Sequence, residues 1–236
     1  MNIFKHSRQL TLTLIVLLSA AFSLNAGNGT HFLKDWTMAS AGKSYQVTVP
    51  TTVMGALTKQ GLYKGVLEGE NIQKVDGSLF ATPWTFTTDF KVNKAADGRV
   101  LLKFYGVSHS ANVVLNGEKI ADKSQMFGTF RMFTYDVTDK VKADNRLSVE
   151  VFRAESGNFN IGYVDWNQHP ADSSMGIFRP VELIVTDGPV QIASSSVHSN
   201  TILSSPTHES WLTVDAQLCN RSDKVVKGNL VGRIDN

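Results

Sequence analysis

From Thr82 onward apolar residues fall at every second position, and this period of two constrains the fold more than any other feature of the sequence. Trp84, Phe86, Phe90 and Val92 lie on one face, followed by Val100, Leu102 and Phe104, then by Val113 and Leu115. Asn116-Gly117 supplies a tight hairpin turn into Lys119-Ile120, because both residues tolerate the positive φ such a turn requires. Leu147, Val149 and Val151 alternate again, as do Val181, Leu183 and Val185. Short strands at this spacing, separated by turn signals, predict an all-β antiparallel sandwich; the pattern alone leaves a barrel open. Upstream, Tyr45–Val49 reads as a short strand ending at Pro50, and Thr51–Gln60 as the one helix. Thr51 or Thr52 can cap that helix, Val53, Met54 and Leu57 give it an apolar side, and Gly61 stops it. The next twenty residues hold three glycines and little periodicity, and read as a long surface loop, an uncommon feature that suggests function.

A chain of 236 residues can hold one large β domain, or one domain and part of a second. Residues 1–26 read as a secretory signal peptide: Lys5 and Arg8 form the charged start, Leu10 to Phe22 the apolar run, and Leu24-Asn25-Ala26 a small-residue cleavage site. A retained anchor is the alternative, but the run is short for a membrane span. The formal charge of +2 falls to zero without that leader, which excludes the clustered cations that nucleic acid or an anionic membrane would need. The single Cys219 excludes an internal disulfide, which suits a bacterial periplasmic or secreted protein stabilised by its core. Asp187-Gly188-Pro189 marks a domain boundary. Beyond it, Val197–Ile202, Trp211–Leu218 and Val225–Ile234 read as three strands of an incomplete immunoglobulin-like sandwich.

Asn158 to Gly188 is the stretch in which chemistry concentrates. It opens with turn formers (Gly162, Asp165, Pro170, Asp172, Ser173, Ser174, Gly176), mixes carboxylate, carboxamide (Asn167, Gln168), imidazole and aromatic groups, and feeds the strand of Val181 to Val185. Planar hydrogen-bonding groups around an aromatic ring suit a polyol, whose hydroxyls need directional partners while its C–H face needs apolar cover. A purely structural sandwich loop is the competing reading.

Asp165-Trp166-Asn167 followed by Met175-Gly176-Ile177-Phe178-Arg179-Pro180-Val181 resembles the end of the sugar-binding domain of glycoside hydrolase family 2. The resemblance extends back through Tyr135-Asp136-Val137-Thr138, the run from Gly106, Pro83-Trp84 and Val49-Pro50, and is strongest toward the exo-β-glucosaminidase and β-mannosidase side. It implies that the sandwich is a jelly roll over residues 27–189, a galactose-binding-like sugar-binding domain, with the incomplete second sandwich over 190–236. It also implies that Asp165, with Trp166 and Asn167, contacts a terminal β-linked hexose or amino-hexose, and that Asn71 in the earlier loop contacts the same sugar. Trp166 is read either as a sugar platform or as core cover, and Arg179 as a structural ion pair or carbonyl clamp.

Catalytic residues are not expected in this chain. Retaining glycoside hydrolysis needs two carboxyl groups about 5 Å apart. The family places both on a (β/α)8 barrel of about 250 residues, and neither a βα repeat nor an Asn-Glu pair occurs here. Histidine spacing offers no zinc site, no phosphate loop or cofactor motif is present, and Ser108-His109-Ser110 reads as surface polar residues. The sequence therefore predicts the N-terminal fragment of a secreted exo-acting glycosidase, a glycoside hydrolase by family that lacks its catalytic machinery. The alternative is a free-standing carbohydrate-binding or adhesion module. No nucleic-acid partner is expected, and no membrane partner after signal cleavage.

Overall fold

The computed structural model describes residues 24–26, 29–164, 166–202 and 210–234. In chain order the strands are β1 (Leu24–Ala26), β2 (Gly29–Phe32), β3 (Asp35–Ser40), β4 (Lys43–Thr48) and β5 (Thr51–Thr52), then helix α1 (Val53–Lys59). There follow β6 (Trp84–Val92), β7 (Val100–Phe104), β8 (Ser110–Leu115), β9 (Glu118–Ala121), β10 (Phe133–Asp136) and β11 (Asp144–Phe152). The last are β12 (Gly176–Ile177), β13 (Val181–Val185), β14 (Val190–Thr201) and β15 (Ser210–Asn220).

Alternation sends one face of each strand into the interior, and two sheets close over it as a sandwich. The larger sheet runs β4-β3-β6-β11-β8-β9, with β1 parallel to the end of β6; the smaller runs β10-β7-β13-β2. Trp84, Phe86, Phe90, Val113, Leu115, Leu147, Val149 and Val151 from the first meet Val100, Leu102, Phe104, Val181, Leu183 and Val185 from the second, all buried. The two buried indoles keep their N–H groups satisfied on backbone carbonyls, Trp36 on Leu33 at 2.8 Å and Trp84 on Leu79 at 3.2 Å. Asn116 and Gly117 take the expected positive φ, 54° and 85°, between β8 and β9.

Helix α1 begins where expected: the Thr52 hydroxyl accepts Gly55 N at 3.0 Å. The segment 62–81 is more structured than its composition suggested. It folds through turns into two short 3-10 helices, Asn71–Lys74 and Gly77–Phe80, and buries Val66 and Phe80 against the core. Beyond β13, β14 and β15 pair only with each other among the described residues. Val225–Ile234, expected as a third strand, forms none; Gly228 and Gly232 weaken strand preference there and no neighbouring strand holds it. Of the expected leader, residues 1–26, the first 23 lie outside the described residues; cleavage after Ala26 would remove β1.

Candidate functional site

Residues 153–175 leave the end of β11 and return to β12, and their polar side chains bond within the loop and, through Asn160 and Asp172, to other segments of the domain. Asn160 is the hub. Its Oδ1 accepts from Thr129 Oγ1 at 2.6 Å and from Ser108 Oγ at 3.2 Å, and its Nδ2 donates to Ser173 O at 3.1 Å. One carboxamide thus joins three chain segments. Asp172, fully buried, accepts Met54 N at 2.8 Å and Ser174 N at 2.9 Å, so it adds to the cap of α1 supplied by Thr52. Burial pushes its carboxyl above the ordinary 3.8, against the pull of those backbone donors. Ser173 and Ser174 take left-handed φ of 50° and 58°, which turns the chain toward Gly176. At Gly176 β12 passes so close to β5 that an added Cβ would lie 2.5 Å from Thr51 O.

This scaffold carries a small exposed tip. Val164 and Asn167 exchange both backbone hydrogen bonds, at 3.0 and 2.8 Å, and Trp166 projects from the turn they close, 88% exposed. Within this chain Trp166 therefore covers no core. Asn167 is exposed beside it, its Nδ2 at 3.5 Å from Gly162 O. Asp165 lies outside the described residues. Behind the tip Tyr163 donates to or accepts from Ser174 Oγ at 2.7 Å and meets the His169 ring edge-on at 4.4 Å; burial raises its phenol, so it stays protonated. Two more exposed aromatics, Phe159 and Phe130, pack edge to face at 5.9 Å, linked to the loop through Thr129 and Asn160.

Asn71 shares no hydrogen bond with Trp166 or Asn167. Its Nδ2 donates to Gly65 O at 3.0 Å and its Oδ1 accepts from Lys74 Nζ at 3.0 Å, all within its own loop. Two expectations are corrected. Ser108 is buried rather than superficial, because its backbone bonds both ways with Gly176 at 2.9 Å and seals the base of the loop. Arg179 is no clamp: its exposed guanidinium rests over the Phe178 ring at 5.6 Å. Asn160 and Asp172, which fix the loop, were missed as such. Asp172-Ser173-Ser174 carried a local turn signal, whereas the partners of Asn160 lie up to 52 residues away and leave no local trace. Among the described residues no cluster of His, Cys, Asp or Glu could hold a metal. A rigid polar loop that presents an indole and a carboxamide to solvent can take the C–H face and hydroxyls of a sugar.

Residues 36–158 match the glycosyl hydrolase 2 galactose-binding domain-like family. The exo-β-D-glucosaminidase of Amycolatopsis orientalis is 32% identical over 192 residues, covering 80% of this chain and 18% of that protein. That of Hypocrea jecorina is 30% identical over 181 residues, 75% of this chain and 20% of that protein. The crystal structure of the Amycolatopsis orientalis exo-chitosanase superposes with a TM-score of 0.73 at 26% identity, over 83% of this chain and 25% of that one. This chain spans about a fifth of the length of the curated relatives it matches.

Proposed function

Because the chain belongs to glycoside hydrolase family 2, matched through its galactose-binding-like N-terminal domain, we propose that it is the sugar-binding part of a secreted exo-acting glycosidase that trims terminal amino-hexose, glucosamine in particular. The observation that carries this reading is the exposure of Trp166 and Asn167 on a loop whose base is fixed by buried bonds, since an indole 88% exposed packs against nothing within this chain. The activity of the relatives, exo-β-D-glucosaminidases, supports glucosamine over a neutral hexose. Asp165, between Val164 and Trp166 in the sequence, supplies the carboxylate. Asn71 is the second wall: its amide oxygen accepts Lys74 Nζ with one lone pair and offers the other to a ligand hydroxyl. The catalytic carboxylates come from outside this chain, which alone hydrolyses no aryl β-glycoside. Residues 1–26 direct export and are removed, and residues 190–236 begin an immunoglobulin-like domain.

Calorimetric titration of the chain with glucosamine tests the site. A carboxylate hydrogen bond contributes about 1.5–3 kcal/mol, so Asp165→Asn should weaken binding at least about tenfold while the melting temperature holds. Trp166→Ala should do the same. Lost stability with affinity unchanged would make the loop a shape element and overturn the reading. Intact mass of exported protein should begin near Gly27; a mass retaining Lys5 and Arg8 would remove the secretion proposal.

A further inference from the structure

A second polar surface lies on the outer face of the larger sheet, away from the Trp166 tip. β6, β11 and β8 are neighbours there, and their register sets Thr85 beside Glu150 beside Asn112, and Thr87 beside Ser148 beside Val114. The residues between them, Phe86, Val149 and Val113, point into the core, so these six face outward. Lys119 and Asp122 form a wall on the β9 side, and the enclosed open cavity is about 460 Å³, the size class of small-ligand sites.

The state of the charges on this face points to a ligand. Asp122 is paired with Lys119 at 3.3 Å and Asp89 with Arg146 at 2.9 Å. Glu150 has no cation among the described residues: its Oε2 accepts Asn112 Nδ2 at 2.6 Å, and the other end of Asn112 is already used by Lys123 N at 2.9 Å. The Thr85 and Ser148 hydroxyls make no bond of their own among the described residues, although both are half-buried. A carboxylate oxygen and two hydroxyls therefore line one cavity with hydrogen-bonding capacity in hand, beside the apolar cover of Val114.

We infer that this face is a second saccharide-binding surface that takes an amino-sugar unit, its ammonium on Glu150 and its hydroxyls on Thr85 and Ser148. An ammonium completes Glu150, the carboxylate of this cavity left without a cation among the described residues, through charge-assisted bonds that a neutral or N-acetylated sugar cannot supply. The choice of amino sugar rests on the glucosamine reading above; the site itself does not. Glu150 lies two residues, about 7 Å, before the end of β11 from which the Trp166 loop departs.

The test is an amide-resolved NMR titration of the whole chain with a β-1,4-linked glucosamine trimer and with its N-acetylated counterpart. The amine trimer should shift the amides of Thr85, Asn112, Ser148 and Glu150, and the acetylated trimer should not. Glu150→Gln, which keeps the shape and the Asn112 contact, should weaken that response at least about fivefold while shifts at Trp166 and Asn167 persist. Thr85→Val, matched in shape and strand preference, should weaken it about threefold and decides the matter if the first variant folds poorly. Absent shifts on the sheet face, or shifts indifferent to both substitutions, overturn the inference. Sheet-face shifts without any at Trp166 and Asn167 overturn the glucosamine loop instead and leave this surface standing.

Discussion

Asp172 accepts a hydrogen bond from Met54 N at 2.8 Å across 118 residues of chain, which locks the candidate sugar loop onto the first turn of α1. Ser174 N takes the other carboxylate oxygen at 2.9 Å. Asp172→Asn keeps the shape but turns an N–H donor toward one of those two backbone donors. Leaving a buried donor unmet costs about 1–3 kcal/mol, so urea unfolding should show a loss of that size.

The same residue carries a pH signature. Burial raises the Asp172 carboxyl above its unfolded value of 3.8, so the folded state holds the proton more tightly. Its contribution is then fully present below 3.8 and lost as pH rises through the folded pKa. The stability difference between the native protein and Asp172→Asn should narrow as pH rises above 3.8. A difference that widens over that range would show that the backbone donors outweigh burial.

His109 should act in a different window. Burial lowers its imidazole below 6.5, with Glu155 opposing, so the fold favours the neutral ring. A lowered base contributes stability that is complete above 6.5 and lost as pH falls through the folded pKa. The native protein should therefore lose stability on acidification below 6.5 relative to His109→Gln. Parallel curves for the two proteins would rule out His109 as a source of acid lability.

These relationships show what the sequence could and could not convey. Alternation in Trp84–Val92, Val100–Phe104 and Asp144–Phe152 predicted both sheets correctly, because a strand's side-chain period is fixed by its backbone. The turn at Asn116-Gly117 and the helix cap at Thr52 were legible for the same reason: their signals are local. Bonds of Asn160 to Ser108 and Thr129, and of Asp172 to Met54, join residues distant in the chain and carry no periodic mark. Val225–Ile234 misled in the opposite direction, since apolar residues make a strand only where another strand can pair with them.

Asn160→Ala should loosen the loop without melting the core. It strips one acceptor from the Ser108 and Thr129 hydroxyls and one donor from Ser173 O, and Ser108 is fully buried. Hydrogen exchange should quicken across residues 158–176 while the amides of β11 keep their protection. Asn160→Asp retains the two accepted bonds and should fall between the native protein and the alanine variant. Equal loss of protection in β11 would make Asn160 a core residue of the whole sandwich instead of a fastening of one loop.

The β14–β15 hairpin should be the first part of the described chain to yield to protease. A bulge between Ile192 and Ser194 shifts the register by one residue, so Ile192 and Val197, five apart in sequence, share a face with Leu212, Val214 and Leu218. All five are exposed, between 46% and 64%, and the opposite face carries Gln191, Ser196, His198 and Asp215. A two-stranded ribbon with an uncovered apolar face and two free edges is marginal on its own and prone to pair with further copies. Limited proteolysis should leave a stable core ending near Pro189, where β13 has closed the smaller sheet. Covering the apolar face, as the proposed immunoglobulin-like domain would, should abolish the cleavage. Resistance of residues 190–220 equal to that of the sandwich, in a monomer at low concentration, would mean that the hairpin is stable without a cover and would sink the incomplete-domain reading.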